Sequence, residues 1–201
     1  MKYSRTQIQK AVESKGHKWF EGGDYNLNIV GVRNSSTNGE VTNKFDDTLT
    51  LSYSVGDELK YHEYVATTDP GSYWEKNLLN EDGVAILVPG QYRGSHTIGL
   101  HQGKYEALKQ HSPVKVYRDN NKDGKYDMIE ENIKEGIFGI NIHKAGSREE
   151  GSTQIDKWSA GCQVLSKESD FNQLMEIAHK SAALYGKSFT YTLIESKDIV
   201  G

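Results

Sequence analysis

The chain has 201 residues, with 24 Lys and Arg against 28 Asp and Glu, one cysteine, three prolines and twenty glycines. That length suits one domain with a small appendage, burying about 70% of the unfolded chain's surface. A formal charge of -4 leaves no cation excess to displace phosphate counterions, which excludes a strongly electrostatic nucleic-acid binder; no apolar run nears the roughly 18 residues of a membrane span. In chain order, the first element is a short amphipathic helix. Thr6 with Gln9 reads as its capping box, Ile8, Ala11 and Val12 share a face, and Gly16 ends it. Trp19-Phe20 is a hydrophobic anchor before the turn Glu21-Gly22-Gly23-Asp24. Strand patterns then dominate. From Asp47 to Val55, Leu49, Leu51, Tyr53 and Val55 alternate with Thr48, Thr50, Ser52 and Ser54. Further strands are expected at Leu27–Arg33, Lys60–Thr67, Val84–Val88, Val114–Tyr117, Phe138–His143, Cys162–Leu165 and Phe189–Ile194. A second helix is expected from Asp170 to Tyr185, with Ser169 as N-cap, Gly186 after its last turn, and Phe171, Leu174, Ile177, Ala178, Ala182 and Tyr185 on the stripe that covers the sheet.

One cysteine excludes an internal disulfide and a cysteine-based zinc cluster. It leaves two readings of Cys162: a small buried hydrophobe, or a nucleophile. In Phe138-Gly139-Ile140-Asn141-Ile142-His143 the apolar residues point to one face, which puts His143 on the other, at the strand's C-terminal end. Nineteen positions later comes Trp158-Ser159-Ala160-Gly161-Cys162-Gln163. Small residues at 159 to 161 permit close backbone approach, the amides of Gly161 and Cys162 can face a developing oxyanion, and an imidazole is the usual partner that activates a thiol. Ser159 either bonds in that oxyanion region or shapes the turn.

His143 followed by Ser159-x-Gly161-Cys162 resembles the signature of the L,D-transpeptidase (YkuD-like) catalytic domain. The wider order is similar too, with a strand ending in Val65-Ala66-Thr67-Thr68-Asp69-Pro70-Gly71 ahead of the histidine strand. The resemblance spans residues 26–195 and is strongest over Ile140–Leu165. It implies a β-sandwich catalytic domain over 25–201, preceded by the helix and anchor of 1–24. It also implies attack by Cys162, with His143 as base, on a peptide carbonyl of peptidoglycan stem peptides, through a thioester that an amine or water resolves. The sequence departs from the family where Ala160 replaces a histidine, Val164 an arginine and Lys144 a glycine. These departures mark a divergent, bacteriophage-type member. The polar start Met1-Lys2-Tyr3-Ser4-Arg5 lacks the apolar stretch of a signal peptide, which fits a phage virion or lysis protein acting on the cell wall, and equally a piece of a longer chain.

Three further groups invite a role. Arg93 and His96, in a glycine-flanked stretch, are read as contacts to a stem-peptide carboxylate or as solvated loop residues. Trp158 packs the cysteine loop or lines its groove. His17, His62, His101, His111 and His179 are read as structural or surface residues. Finally, Asp119 to Glu130 fits the twelve-position calcium-loop template. Asp119, Asn121, Asp123, Asp127 and Glu130 supply oxygens, Gly124 the sharp turn and Lys125 a carbonyl. The competing reading is an Asx-rich turn without metal. Catalysis itself requires no cofactor. The expected whole is a mostly-β, α+β protein, with a peptidoglycan-acting cysteine acyltransferase or peptidase as first reading. A non-catalytic β-rich binding or virion module is the second.

Overall fold

The computed structural model describes residues 2–199. Among them lie three α-helices, α1 (Arg5–Ser14), α2 (Ser72–Lys76) and α3 (Glu168–Tyr185). The first strands are β1 (Asn28–Arg33), β2 (Asp47–Val55), β3 (Glu58–Thr67) and β4 (Val84–Leu87). Then follow β5 (Gly90–His101), β6 (Tyr105–Gln110), β7 (Val114–Asp119), β8 (Ile133–Gly136), β9 (Ile142–Lys144), β10 (Gln163–Leu165) and β11 (Ser188–Glu195). Eight strands close into a barrel in the order β1-β11-β5-β6-β9-β10-β3-β2, and β4, β7 and β8 form a separate three-stranded sheet. Pairing is parallel at β1–β11 and β9–β10 and antiparallel elsewhere in the barrel. The mostly-β, α+β expectation therefore holds, with a barrel-like sheet where a sandwich was expected. Alternating patterns cannot tell the two apart, because either architecture buries one face of each strand.

The alternation of β2 does what it promised: Leu49 and Leu51 lie in the main core and Tyr53 packs against it. That core joins Ile29, Ile142, Leu165, Tyr191 and Leu193 of the barrel to Phe171, Leu174, Ile177 and Ala178 of α3. Burying a side chain such as Phe171 or Leu174 stabilises by about 1.5–3 kcal/mol each. Ala85, Leu87, Val114 and Val116 bring the small sheet into the same core. Helix α1 covers the opposite side of β1 and β11, packing Ile8, Ala11 and Val12 with Trp19, Val30, Val32 and Ile194.

Local signals were shifted at several element ends. The capping box of α1 is Ser4 with Gln7 rather than Thr6 with Gln9; Gln9 instead reaches Glu13 and Glu21. Helix α3 starts before Ser169, with Lys167 at the N-cap and Glu168 and Asp170 in the first turn, where carboxylates favour the positive end of the helix dipole. The expected strand Phe138–His143 is ordered as strand only from Ile142. Gly139, at φ 74°, breaks the pleat, and the Gln110 side chain takes over the pairing. Its Oε1 accepts from the Phe138 and Ile140 amides at 3.1 and 2.9 Å, and its Nε2 donates to the Ser112 and Gly136 carbonyls.

Candidate active site

Cys162 stands one residue before β10, and its loop is held from several sides. Ser159, fully buried, donates from Oγ to the Cys162 carbonyl at 2.8 Å and accepts from the Gly161 amide at 3.1 Å. Its role is thus to shape the turn. The Gly161 amide is engaged by that hydroxyl. Gly161 has φ 133°, and a Cβ there would sit 2.2 Å from the Ala85 carbonyl oxygen. The close approach that needs glycine is therefore to β4, not to a substrate. Behind the loop, the Gly71 amide donates to the Ser159 carbonyl at 2.8 Å, and the Trp74 indole of α2 donates to the Lys157 carbonyl.

The register brings cysteine and histidine together. In the parallel pair β9–β10, Val164 lies beside His143 and Gln163 beside Ile142. Side chains alternate along a strand, so Cys162, two residues before Val164, projects to the side that carries His143. Tyr105 ties the two: its hydroxyl lies 3.4 Å from His143 Nδ1, and its pKa is pushed up to about 12 by burial and then by the nearby Cys162 charge. His143 Nδ1 donates to the Lys144 carbonyl at 2.7 Å. A carbonyl only accepts, so the neutral ring carries its proton on Nδ1 and offers the Nε2 lone pair. Lys144, in turn, pairs with Glu168 at the start of α3.

His101, read from sequence as structural, stacks on His143 with ring centroids 4.1 Å apart. The Gln110 amide donates to Asn141 Oδ1 at 2.9 Å, which turns Asn141 Nδ2 toward His101 Nδ1 at 3.2 Å. His101 therefore carries its proton on Nε2, so the two stacked rings have opposite tautomers. A cavity of about 300 Å³ opens at Cys162, and His101, Asn141, Ala160, Ala85, Phe138 and Arg118 are among its lining residues. His143, 3% exposed, is not among the lining residues; it stacks on His101, which is.

At rest the pair is neutral. Burial pushes the Cys162 thiol up to about 11, against a smaller opposing pull from the Asn141 amide. Burial, with His101 adding to it, pushes His143 down to about 4, opposed by its bond to Lys144. The thiol donates to the Gly139 carbonyl at 3.2 Å, and among the described residues it makes no hydrogen bond to a histidine.

Other candidates lie elsewhere. His96 is 1% exposed, with Nε2 donating to the Ile140 carbonyl and Nδ1 against Ser95 Oγ, both at 2.8 Å. It braces the segment before β9 from a buried position and does not line the Cys162 cavity. Arg93 is exposed and lies over the Phe20 ring at 5.1 Å; it does not line the Cys162 cavity. Trp158 is 44% exposed and packs beside Gly146 rather than in that cavity. In the acidic loop, oxygens of Asp119, Asn121 and Asp123 accept from the Asn121, Asp123 and Lys125 amides, a chain of Asx turns. Asp127 accepts from Asn121 Nδ2, and Glu130 opens a short 3-10 turn. The donor chemistry suits a hard cation, and the buried Asp119 Oδ2 has no partner. Among the described residues, however, no three His, Cys, Asp or Glu are gathered around a common point. Nor is any described helix long and apolar enough to cross a membrane.

Sequence reasoning missed His101, Asn141, Gln110 and Arg118. His101 precedes a readable turn, Gln102-Gly103, but the strand that leads into it is rich in glycine and polar residues. Comparison with protein-family models, curated proteins and solved structures finds no match.

Proposed function

We propose that the protein is a cysteine acyltransferase or peptidase that acts on stem peptides of bacterial peptidoglycan, built as a divergent L,D-transpeptidase-like domain. The observation that carries the enzymatic part is the placement of Cys162 on the wall of an open cavity, on the His143 side of the sheet, with the Nε2 lone pair of His143 selected by the Lys144 carbonyl. The peptidoglycan part rests on the Ser159-x-Gly161-Cys162 resemblance.

In the proposed step, Cys162 Sγ turns from the Gly139 carbonyl toward His143 and gives its proton to Nε2 as it attacks the substrate carbonyl. An S–C bond forms, and the Cys162 amide holds the oxyanion. As the C–N bond breaks, the leaving amine takes the proton from Nε2, and the acyl thioester is resolved by water or by a second amine. With a thiol pKa near 11, the resting thiolate at pH 7 is about one part in ten thousand. Proton transfer concerted with attack is therefore the route this site supports. A histidine held near pKa 4 is unprotonated at neutral pH but a weak base, so the step requires bound substrate to raise it toward neutrality.

The second reading, a non-catalytic binding module, is favoured by one observation: the sulfur rests on a carbonyl rather than on an imidazole. Incubating the protein and its Cys162→Ala variant with purified sacculi, followed by mass spectrometry of released muropeptides, separates the two. The proposal expects new fragments or new crosslinks with the wild type alone. Products with both proteins, or with neither, would sink it.

A further inference from the structure

The cavity at Cys162 is walled largely by apolar and uncharged groups, including Val84, Leu79, Ile140 and Phe138. Among its described lining residues, Arg118 alone carries a full charge. It extends from β7, with its guanidinium 4.8 Å from the centre of the Phe138 ring. Its Nη1 donates to the Gly83 carbonyl at 3.0 Å, and its Nε is buried without a partner. Asp82, Asp119, Asp127 and Glu131 line a second hollow that Arg118 also borders, and the Asp82 charge acts on it, but none of the four forms an ion pair with it. Asp82 pairs with Lys134 at 2.6 Å, and one oxygen of Asp119 accepts from the Asn121 amide. A guanidinium presents two forked edges to a carboxylate, one of them formed by Nε and Nη2. The Gly83 bond occupies Nη1, and the Phe138 ring lies against the guanidinium where it borders the cavity.

We infer that Arg118 is the specificity determinant of the Cys162 cavity, and that it selects acyl donors with a carboxylate beside the bond that is attacked. This rests on the reading of Cys162 as the nucleophile. Such a cavity, apolar around a single cation, suits one carboxylate on an otherwise uncharged peptide segment. Arg118 acts here as a binding residue and takes no part in proton transfer.

The test uses the cysteine as its own reporter and needs no peptidoglycan. Second-order rates of Cys162 alkylation are measured at pH 9 and low salt with iodoacetate, which carries the carboxylate, and with iodoacetamide, its neutral counterpart. The wild type is expected to show an iodoacetate-to-iodoacetamide ratio about tenfold or more above that of Arg118→Met, the gain expected of a focused cationic site. The iodoacetamide rate of each protein serves as its own reference, so a change in loop stability or thiol reactivity cancels in the ratio. Arg118→Lys, which keeps charge without the fork, should fall between them, and it serves as the test variant if Arg118→Met is unstable. Equal ratios in the wild type and the variants would overturn the inference. A selective ratio without products from sacculi would leave the anion site standing and count against the peptidoglycan reading alone. In turnover, Arg118→Met should raise KM for donors with a free carboxylate and leave amidated donors unchanged. An equal rise for both would also overturn it.

Discussion

Replacing Gly161 with alanine tests whether the cysteine loop is positioned by its contact with β4. The residue sits at φ 133°, a region that side-chain-bearing residues avoid, and holding alanine there costs about 1–3 kcal/mol. The new methyl would lie 2.2 Å from the Ala85 carbonyl oxygen, part of a strand paired with β7 and unable to swing aside. Overpacking of this kind adds about 1–3 kcal/mol. Allowing for relaxation, the loss should be about 3 kcal/mol, or a fall in Tm of about 6–12 °C for a domain of this size. Scanning calorimetry measures it, with Gly146→Ala as control. There a methyl meets the Trp158 ring at 3.4 Å without a positive φ, so Tm should stay within about 2 °C. If Gly161→Ala melted with the control and kept full activity, the account of how Cys162 is placed would be wrong.

Other outcomes follow from the same structure. Arg33 is buried, lies 2.8 Å from Asp69, and donates to the Leu87 and Thr68 carbonyls, while Asp47 accepts from the Asn34 and Thr68 amides beside it. Arg33→Met strands those buried carboxylates and should cost about 3–5 kcal/mol in urea unfolding; a loss under about 1 kcal/mol would refute the network's role. His96 is pushed by burial from 6.5 to about 4, so between those values the unfolded chain binds the proton and the folded one does not. Its contribution is complete above pH 6.5 and is lost as pH falls toward 4, by up to about 3 kcal/mol. Asp47, pushed up to about 7 by burial and by Asp69, works in the opposite sense over the same window. The stability difference between wild type and His96→Gln isolates the histidine, and a difference flat from pH 7 to 4 would contradict its buried, neutral state. The calcium reading of the acidic loop is tested through the buried Asp119 Oδ2, which has no side-chain partner. Millimolar Ca²⁺ should raise Tm by mass action, and Asp119→Asn should abolish the rise. No rise in the wild type would leave Asx turns as the loop's whole role.

The parts of this protein that were legible in its sequence are those in which one local pattern decides the outcome. Strand β2 follows strict alternation, the last turn of α3 stops at Gly186, and the stripe of α3 faces the core. Strand β5 was invisible because Gly90, Gly94 and Gly99 weaken strand propensity, and it forms because β11 and β6 pair with it on either side. The break at Gly139 depends on Gln110, roughly thirty residues away in sequence and adjacent only once β6 is in place. At the site, the tight turn of Ser159–Cys162 and the strand that carries His143 were legible, because small residues mark a close turn and alternation marks a strand. The partners that set charge and tautomer could not be. His101, Asn141 and Arg118 reach the cavity from β5, from the residue before β9 and from β7, and only the folded barrel and its small sheet bring those strands to one place. Arg93 and His96 show the converse, since a polar, glycine-flanked stretch read as a binding loop is a barrel strand with His96 buried.

The most direct test of the central claim is mass spectrometry of the intact protein during reaction with a defined stem peptide. The account predicts a transient adduct equal to the acyl part of the donor, mapped by digestion to the peptide that contains Cys162. It should be absent from Cys162→Ala, and in His143→Ala it should form far more slowly. Peptide turnover with no adduct on Cys162, or an adduct that forms equally fast in His143→Ala, would contradict it.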